Sequence, residues 1–217
     1  MSTWGELLAD IRADLKDTST TQRWPDTSLY VWTKDAIRDY SVHFPMSKSA
    51  AVTVSDGKYA LPADCDHVLY VTCPDDNYLE QRDTRPGVEY LAVFKPTLYH
   101  IREGFLYLNG SPSTGEVVTV FYEAKHPVPT SELDTTFDLT IPEGDEELLR
   151  LYVKAKATEQ IRTATSNLDR FSPGSGRRDD NPLEPETNNL MIEYYRKVAQ
   201  RFPGGVIRLY RPGGRYR

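Results

Sequence analysis

The sequence predicts an α+β fold: a bundle of about four helices, an inserted small antiparallel β domain and an extended C-terminal arm. Three observations carry this. Apolar residues recur with a 3.6-residue period at both ends of the chain, the period changes to two between about Ala50 and Lys125, and the last stretch is basic and interrupted by Pro203-Gly204-Gly205.

The elements follow in order. Trp4, Leu7, Leu8, Ile11 and Leu15 fall on one face of a first helix, which the polar stretch Asp17 to Gln22 ends. Trp24-Pro25-Asp26-Thr27 starts a second, with Asp26 or Thr27 as cap and Leu29, Trp32, Ala36 and Tyr40 as its apolar stripe; Phe44-Pro45 stops it. Ala51 to Val54 and Tyr59 to Leu61, separated by Ser55-Asp56-Gly57-Lys58, read as a hairpin turning at Asp-Gly. His67 to Cys73, Val88 to Phe94, Leu98 to Arg102, Phe105 to Leu108 and Val117 to Tyr122 continue the strands, with a Gly/Pro/Ser loop from Asn109 to Gly115. Short strands at such intervals predict a small sandwich or barrel. Pro142 and the acidic Glu143, Asp145, Glu146 and Glu147 suit the first turn of a third helix, carried on by Leu148, Leu151, Ala155, Thr158 and Thr165. The run Asp169 to Pro182, with Pro173, Gly174, Gly176 and Arg177-Arg178-Asp179-Asp180, reads as a mobile surface loop. A last helix from about Pro185 to Phe202 carries Leu190, Met191, Tyr194, Tyr195, Val198 and Phe202 on one side.

Because no terminal helix has enough apolar face to fold alone, the helices need one another. The expected organisation is therefore a helical domain of residues 1–46 and 140–203, a sandwich- or barrel-like insertion of residues 47–139, and an arm of residues 204–217.

Composition narrows the function. Hydrophobic residues are 39% of 217, a small share for an enzyme-sized globule and in keeping with a subunit that completes its burial in an assembly. No stretch approaches the roughly 18 to 20 apolar residues of a membrane span, and Met-Ser-Thr-Trp-Gly-Glu has no apolar signal core, so neither a membrane nor export is expected. The net charge of -6 conceals an asymmetry: Arg196 to Arg217 holds seven basic residues and no acid, which leaves -13 on the first 195 residues. Cys65 and Cys73 lack the spacing of a zinc or redox pair and would lie roughly 26 Å apart along an extended strand, so two free thiols are expected.

Catalytic signatures are missing from the sequence. It has no phosphate-binding or dinucleotide-binding glycine loop, no Gly-x-Ser-x-Gly elbow and no His-Glu-x-x-His helix. Asp64-Cys65-Asp66-His67 is the densest set of possible metal ligands, but neighbours in an extended run point to opposite faces, so a turn leading into a strand is the better account. His43, His67, His100 and His126 are isolated, and the adjacent carboxylates Asp75-Asp76 and Asp179-Asp180 read as solvated turns. The expectation is a non-enzyme without cofactor or metal. Fourteen tyrosines and three tryptophans fit carbohydrate or nucleic-acid stacking, or large protein interfaces; Tyr194-Tyr195 reads as core plus edge.

The arm is the candidate site. Val206, Ile207, Arg208, Leu209, Tyr210, Arg211, Arg215, Tyr216 and Arg217 alternate cationic with apolar and aromatic groups. Leaving Val206, Ile207, Leu209 and Tyr210 in water is costly, so the arm suits docking on a partner subunit. Arg and Tyr together also suit phosphate contact and base stacking, although the acidic body opposes a dedicated DNA binder.

The order of these features resembles tailed-bacteriophage adaptor (head-to-tail connector, neck) proteins. The resemblance rests on Arg23-Trp24-Pro25-Asp26, Phe44-Pro45, Tyr59-Ala60-Leu61-Pro62-Ala63-Asp64, Leu106-Tyr107-Leu108, Gly115, Val118 to Tyr122, Leu133, Asp134, Ile141-Pro142 and Glu147-Leu148-Leu149, and on the arm. It implies a virion structural protein of the neck between head and tail, assembled in the host cytoplasm. It implies a homo-oligomeric ring, usually of twelve, that grips the portal protein through its C-terminal arm, meets a tail or neck protein and lets duplex DNA pass through its lumen. The other readings are a different virion subunit (tail completion or baseplate) or a nucleic-acid-binding module.

Overall fold

In the computed structural model, residues 2–53, 58–73, 77–82, 98–108, 117–165 and 183–201 are described. The first helix, α1 (Trp4–Asp14), opens on a capping box: Thr3 accepts from the Glu6 backbone N–H, and the Glu6 carboxylate accepts from the Thr3 N–H at 2.8 Å. The Thr3 N–H, and after it the Thr3 hydroxyl at 3.1 Å, donate to the Glu6 carboxylate and hold its pKa below the ordinary value. Trp4, Leu7 and Ile11 are buried as the spacing predicts, with Leu8 and Leu15 half-buried.

The next helix, α2 (Asp26–His43), stops before Phe44-Pro45, and its first carbonyl acceptor is Pro25, which takes the N–H groups of Ser28 and Leu29. Leu29, Ala36 and Tyr40 are buried, but Trp32 is only half-buried; Thr33 and Ile37 take the deeper places. A short 3-10 turn (Glu143–Asp145) leads into α3 (Glu146–Thr165), and α4 (Leu183–Gln200) completes the helices. The α3 helix packs against α1, α2 and α4. Its Leu148, Leu149, Val153, Ala155 and Ala157 are fully buried, and the small residues let the neighbours approach.

By contacts the chain divides into two compact units, Met1–His43 with Pro127–Arg217, and Phe44–His126. The stretch Pro127 to Leu139 lies in the unit with the helices. Its backbone is tied to α1 and the residues before it: Trp4 N–H donates to Phe137 O at 2.8 Å, Gly5 N–H to Thr135 O at 3.0 Å, and Leu139 N–H to Ser2 O at 3.0 Å. Gly5 permits this approach, since a Cβ there would stand 2.9 Å from Thr135 O.

The β unit contains β1 (Met46–Thr53), β2 (Tyr59–Ala60), β3 (Cys65–Thr72), β4 (Glu80–Gln81), β5 (Leu98–Arg102), β6 (Phe105–Leu108) and β7 (Val117–Ala124). They form a three-stranded sheet, β1-β7-β3, and a four-stranded sheet, β2-β6-β5-β4. One buried cluster draws on both, with Tyr59, Leu106 and Leu108 from one sheet and Val71, Val118, Val120 and Tyr122 from the other.

Two strand expectations are corrected. The expected hairpin of Ala51–Val54 with Tyr59–Leu61 does not form: β1 pairs with β7 over eight residues, Met46↔Ala124 to Thr53↔Val117, while β2 pairs with β6. A regular eight-residue ladder outweighs a three-residue one, and Tyr59 buries its ring in the core beside Leu106. The sheet is also not wholly antiparallel, because β4 pairs with β5 in parallel; residues 82–97 between them are long enough for the crossover that a parallel pair needs. The tight hairpin lies elsewhere. β5 and β6 pair antiparallel around Glu103-Gly104, whose φ values of 52° and 79° give the twist of a two-residue primed turn.

Several sequence expectations fall on residues 54–57, 74–76, 83–97, 109–116, 166–182 and 202–217. These include the Asp-Gly turn, Asp75-Asp76, the strand Val88–Phe94, the loop Asn109–Gly115, the loop Asp169–Pro182, Phe202 and the break after it. All lie outside the described residues.

Candidate interaction site at the root of the C-terminal arm

All nine arm residues named above, Val206 to Tyr210, Arg211 and Arg215 to Arg217, lie outside the described residues, so the site is built up to its root. The last described residue, Arg201, follows α4 directly. Its guanidinium pairs with Asp145 and donates to Gly144 O, both in the 3-10 turn before α3. Tyr40, from the last turns of α2, donates to the other Asp145 oxygen at 2.5 Å. Burial pushes the Tyr40 pKa up, so the phenol stays protonated and keeps donating. One turn back, Lys197 pairs with Glu147 and lies 3.7 Å from Glu193, and that lysine holds the Glu147 carboxyl below its ordinary range. The basic end of α4 therefore meets the acidic start of α3, as antiparallel helix dipoles favour. The end of α4 is thereby fixed against the start of α3.

This changes the charge reading. Of the seven basic residues from 196 onward, Lys197 and Arg201 are paired within the helical unit and Arg196 belongs to α4. The arm itself keeps four, Arg208, Arg211, Arg215 and Arg217.

An aromatic cluster stiffens the same helices. Tyr194, fully buried on α4, donates to Asp39 at 2.6 Å and meets Tyr152 of α3 edge-on at 5.5 Å. Burial, then the carboxylate beside it, drives the Tyr194 pKa far upward, and burial lifts Tyr152 to about 12. Tyr195 is more exposed and lies edge-on to His43. These phenols are neutral donors at ordinary pH, suited to clamping helices and not to moving protons.

Two polar centres explain stretches quoted for the resemblance. Asp17 is almost fully buried and accepts from Arg12 at 2.8 Å and from the backbone N–H groups of Arg23 and Trp24 at 2.7 and 3.2 Å. The same Arg12 donates to Trp24 O at 3.2 Å and pairs with Asp26. Arg23-Trp24-Pro25-Asp26 is thus the hinge that joins α1 to α2. In the β unit, the turn from Pro62 to Cys65 presents Asp64 to Lys48 of β1 at 2.7 Å and to the Tyr122 hydroxyl of β7 at 3.0 Å. These bonds, the lysine's first, hold the Asp64 carboxyl below its usual pKa.

The remaining candidates each have their own neighbours. In the stretch Asp64-Cys65-Asp66-His67, Asp66 turns to Lys125 at 3.2 Å. Among the described residues no group of three or more His, Cys, Asp or Glu is placed to hold a metal ion. Cys65 opens β3 and Cys73 directly follows it, and neither is in a disulfide. His100 stacks on Tyr107 at 4.8 Å, and His126 reaches Phe44 O at 2.9 Å. Among the described residues no helix is long and apolar enough to cross a membrane. Sequence reasoning missed Tyr40, Gly144 and Asp145 as the arm's anchor. The acidic run 143–147 was visible, but its basic partners stand some fifty residues away in the chain.

Residues 2–180 match the family model of the SU10 adaptor protein. The chain belongs to the SU10 adaptor family. The resemblance to phage head-to-tail adaptors drawn from residue order is met by this match, which makes the chain a phage structural adaptor, a virion component that works by contact with other virion proteins. No curated protein matches the sequence significantly. The family match of this adaptor ends at residue 180, so α4, its clamp on α3 and the arm lie beyond it.

Proposed function

We propose that this adaptor is the head-to-tail connector of a tailed-phage neck: a ring, of twelve copies, that docks on the portal protein through residues 204–217, extends the DNA channel and joins the tail or a neck protein. The observation that carries the reading is the root of the arm. Arg201 is pinned to Asp145 and Gly144 O, so the following residues start from one defined place on the helical unit. From there the arm offers Val206, Ile207, Leu209 and Tyr210 for burial and four arginines for charge pairing.

Ordering a residue costs roughly 1–2 kcal/mol of backbone freedom, and burying one large apolar side chain returns roughly 1.5–3 kcal/mol. A single arm is accordingly a modest tether. Many arms on one ring act together, because docking of the first raises the effective concentration of the rest. The acidic body has a role in the same scheme: a negative lumen lets DNA slide, whereas phosphate contacts would hold it back.

The test is electron microscopy of the protein mixed with its portal assemblies. Ring-shaped density added at one end of the portal supports the connector; unchanged portals would contradict it. Salt-dependent tight binding to duplex DNA would instead favour the nucleic-acid module.

A further inference from the structure

Leu133 is the most exposed large apolar residue among those described, at 83% of its full surface. It stands on a pre-formed turn. Asp134 N–H donates to Ser131 O, Thr135 N–H to Leu133 O at 2.9 Å, and Thr130 Oγ1 to the Asp134 carboxylate at 3.2 Å. The Trp4 indole donates to Glu132 O, and Gly5 N–H to Thr135 O, which fastens the turn to the start of α1. Asp138, bridged to Thr3, and Glu6 are exposed beside that start. The result is a ledge with one large apolar group and acidic flanks.

The ledge lies close to the root of the arm. Arg201 is bound to Asp145 and Gly144 O, and the adjoining Glu146 accepts from the Ser2 hydroxyl. Ser2 leads through Thr3 to Trp4 and Gly5, the two residues that hold the turn. Followed contact by contact, the way from root to ledge is on the order of 30 Å, and Val206 to Tyr210, five to nine residues past Arg201, reach about 16–32 Å along an extended chain. Charge agrees with reach. Residues 1–11 and 126–149, which build ledge and root, hold nine acidic side chains and no Lys or Arg. Arg150, Lys197 and Arg201 pair with Asp10, Glu147 and Asp145, none of which is on the ledge. Residues 204–217 carry four arginines and no acid.

We propose that the arm of each copy lies on its own ledge until a partner takes it, with Leu209 and Tyr210 covering Leu133 and with Arg208 and Arg211 facing Glu132 and Asp134. The tether makes even a weak contact effective, because the arm's local concentration at the ledge is high. The contact also keeps the arm's apolar groups and Leu133 from joining an exposed patch on which copies would associate. This goes beyond the connector reading: it assigns a resting surface to the arm.

The experiment measures how often the arm is open in the full-length protein alone. Trypsin cuts after Arg208 and releases a peptide that begins at Leu209, which mass spectrometry follows at low salt. Leu133→Ser should release it about fivefold faster than the parent. Val42→Ser should not, although Val42 is 66% exposed and stands two residues from Tyr40, which binds the same Asp145. Both sites are exposed, so folding should survive; circular dichroism checks it. Equal rates in Leu133→Ser and the parent, or an equal rise in Val42→Ser, overturn the contact. Disulfide trapping in a Cys65→Ser background that keeps the buried Cys73 then tests which copy supplies the arm. Leu133→Cys with Leu209→Cys should close within one chain at least fivefold faster than Val42→Cys with Leu209→Cys. Equal closure of the two pairs, or cross-linked dimers as the main product, overturns the same-chain contact. Neither readout involves the portal, so a protein that fails to bind portals overturns the function proposed above and leaves this contact standing.

Discussion

Asp17 shows how much a single buried carboxylate organises. It neutralises Arg12 and caps two backbone N–H groups of the α1–α2 connection, with only 4% of its side chain exposed. Removing it leaves buried Arg12 with the half-exposed Asp26 as counter-charge and the Trp24 carbonyl as acceptor, and takes the acceptor from two backbone donors. Breaking one side of a buried pair costs roughly 3–5 kcal/mol. Asp17→Ala should therefore lower the urea midpoint of the helical unit sharply with little change in slope, and a midpoint within experimental error of the parent would contradict the network. In sequence Asp17 reads only as the polar end of a helix. Its partners at positions 12, 23 and 24 are near in the chain, yet the bonds depend on how the hinge folds back, which periodicity does not encode.

Among the elements, β1 and β7 close the base of the β unit, where Met46 stands opposite Ala124 and His126 reaches Phe44 O at 2.9 Å. Burial, with the Lys48 charge adding, pushes the His126 pKa below 6.5 against the opposing pull of the Phe44 carbonyl. Between the folded value and about 6.5 the unfolded chain binds more protons, so stability rises with pH there. The contribution is present above about pH 6.5 and is lost as pH falls below it. His100, lowered by burial and Arg102, adds in the same direction. The melting temperature of the β unit should fall between pH 7.5 and 5.5, and His126→Gln should remove part of that fall; an identical pH dependence in the variant would refute the role. At this scale the helices were legible because a 3.6 period reports its own buried face. Strand existence was legible too, but pairing was not: the alternation of Ala51–Val54 fits any antiparallel partner, and only the eight-residue length of β7 and the burial of Tyr59 decide it.

For the whole molecule, order along the chain pointed to the adaptor family before any contact was known, because the residues concerned shape turns and hinges that leave a sequence trace. Arg23-Trp24-Pro25-Asp26 and Leu61-Pro62-Ala63-Asp64 are of this kind. The arm's composition was equally visible, but its root was not, since Arg201 and Lys197 meet Asp145 and Glu147 only through the antiparallel packing of α4 on α3. That packing sharpens the central claim, because it separates the two basic residues that hold α4 down from the four arginines of the arm. The direct test removes the arm and keeps its root. Residues 1–203 should fold like the parent by circular dichroism and melting, and should lose co-sedimentation with portal assemblies at least tenfold in affinity. Unchanged affinity of the truncated protein for the portal would contradict the account.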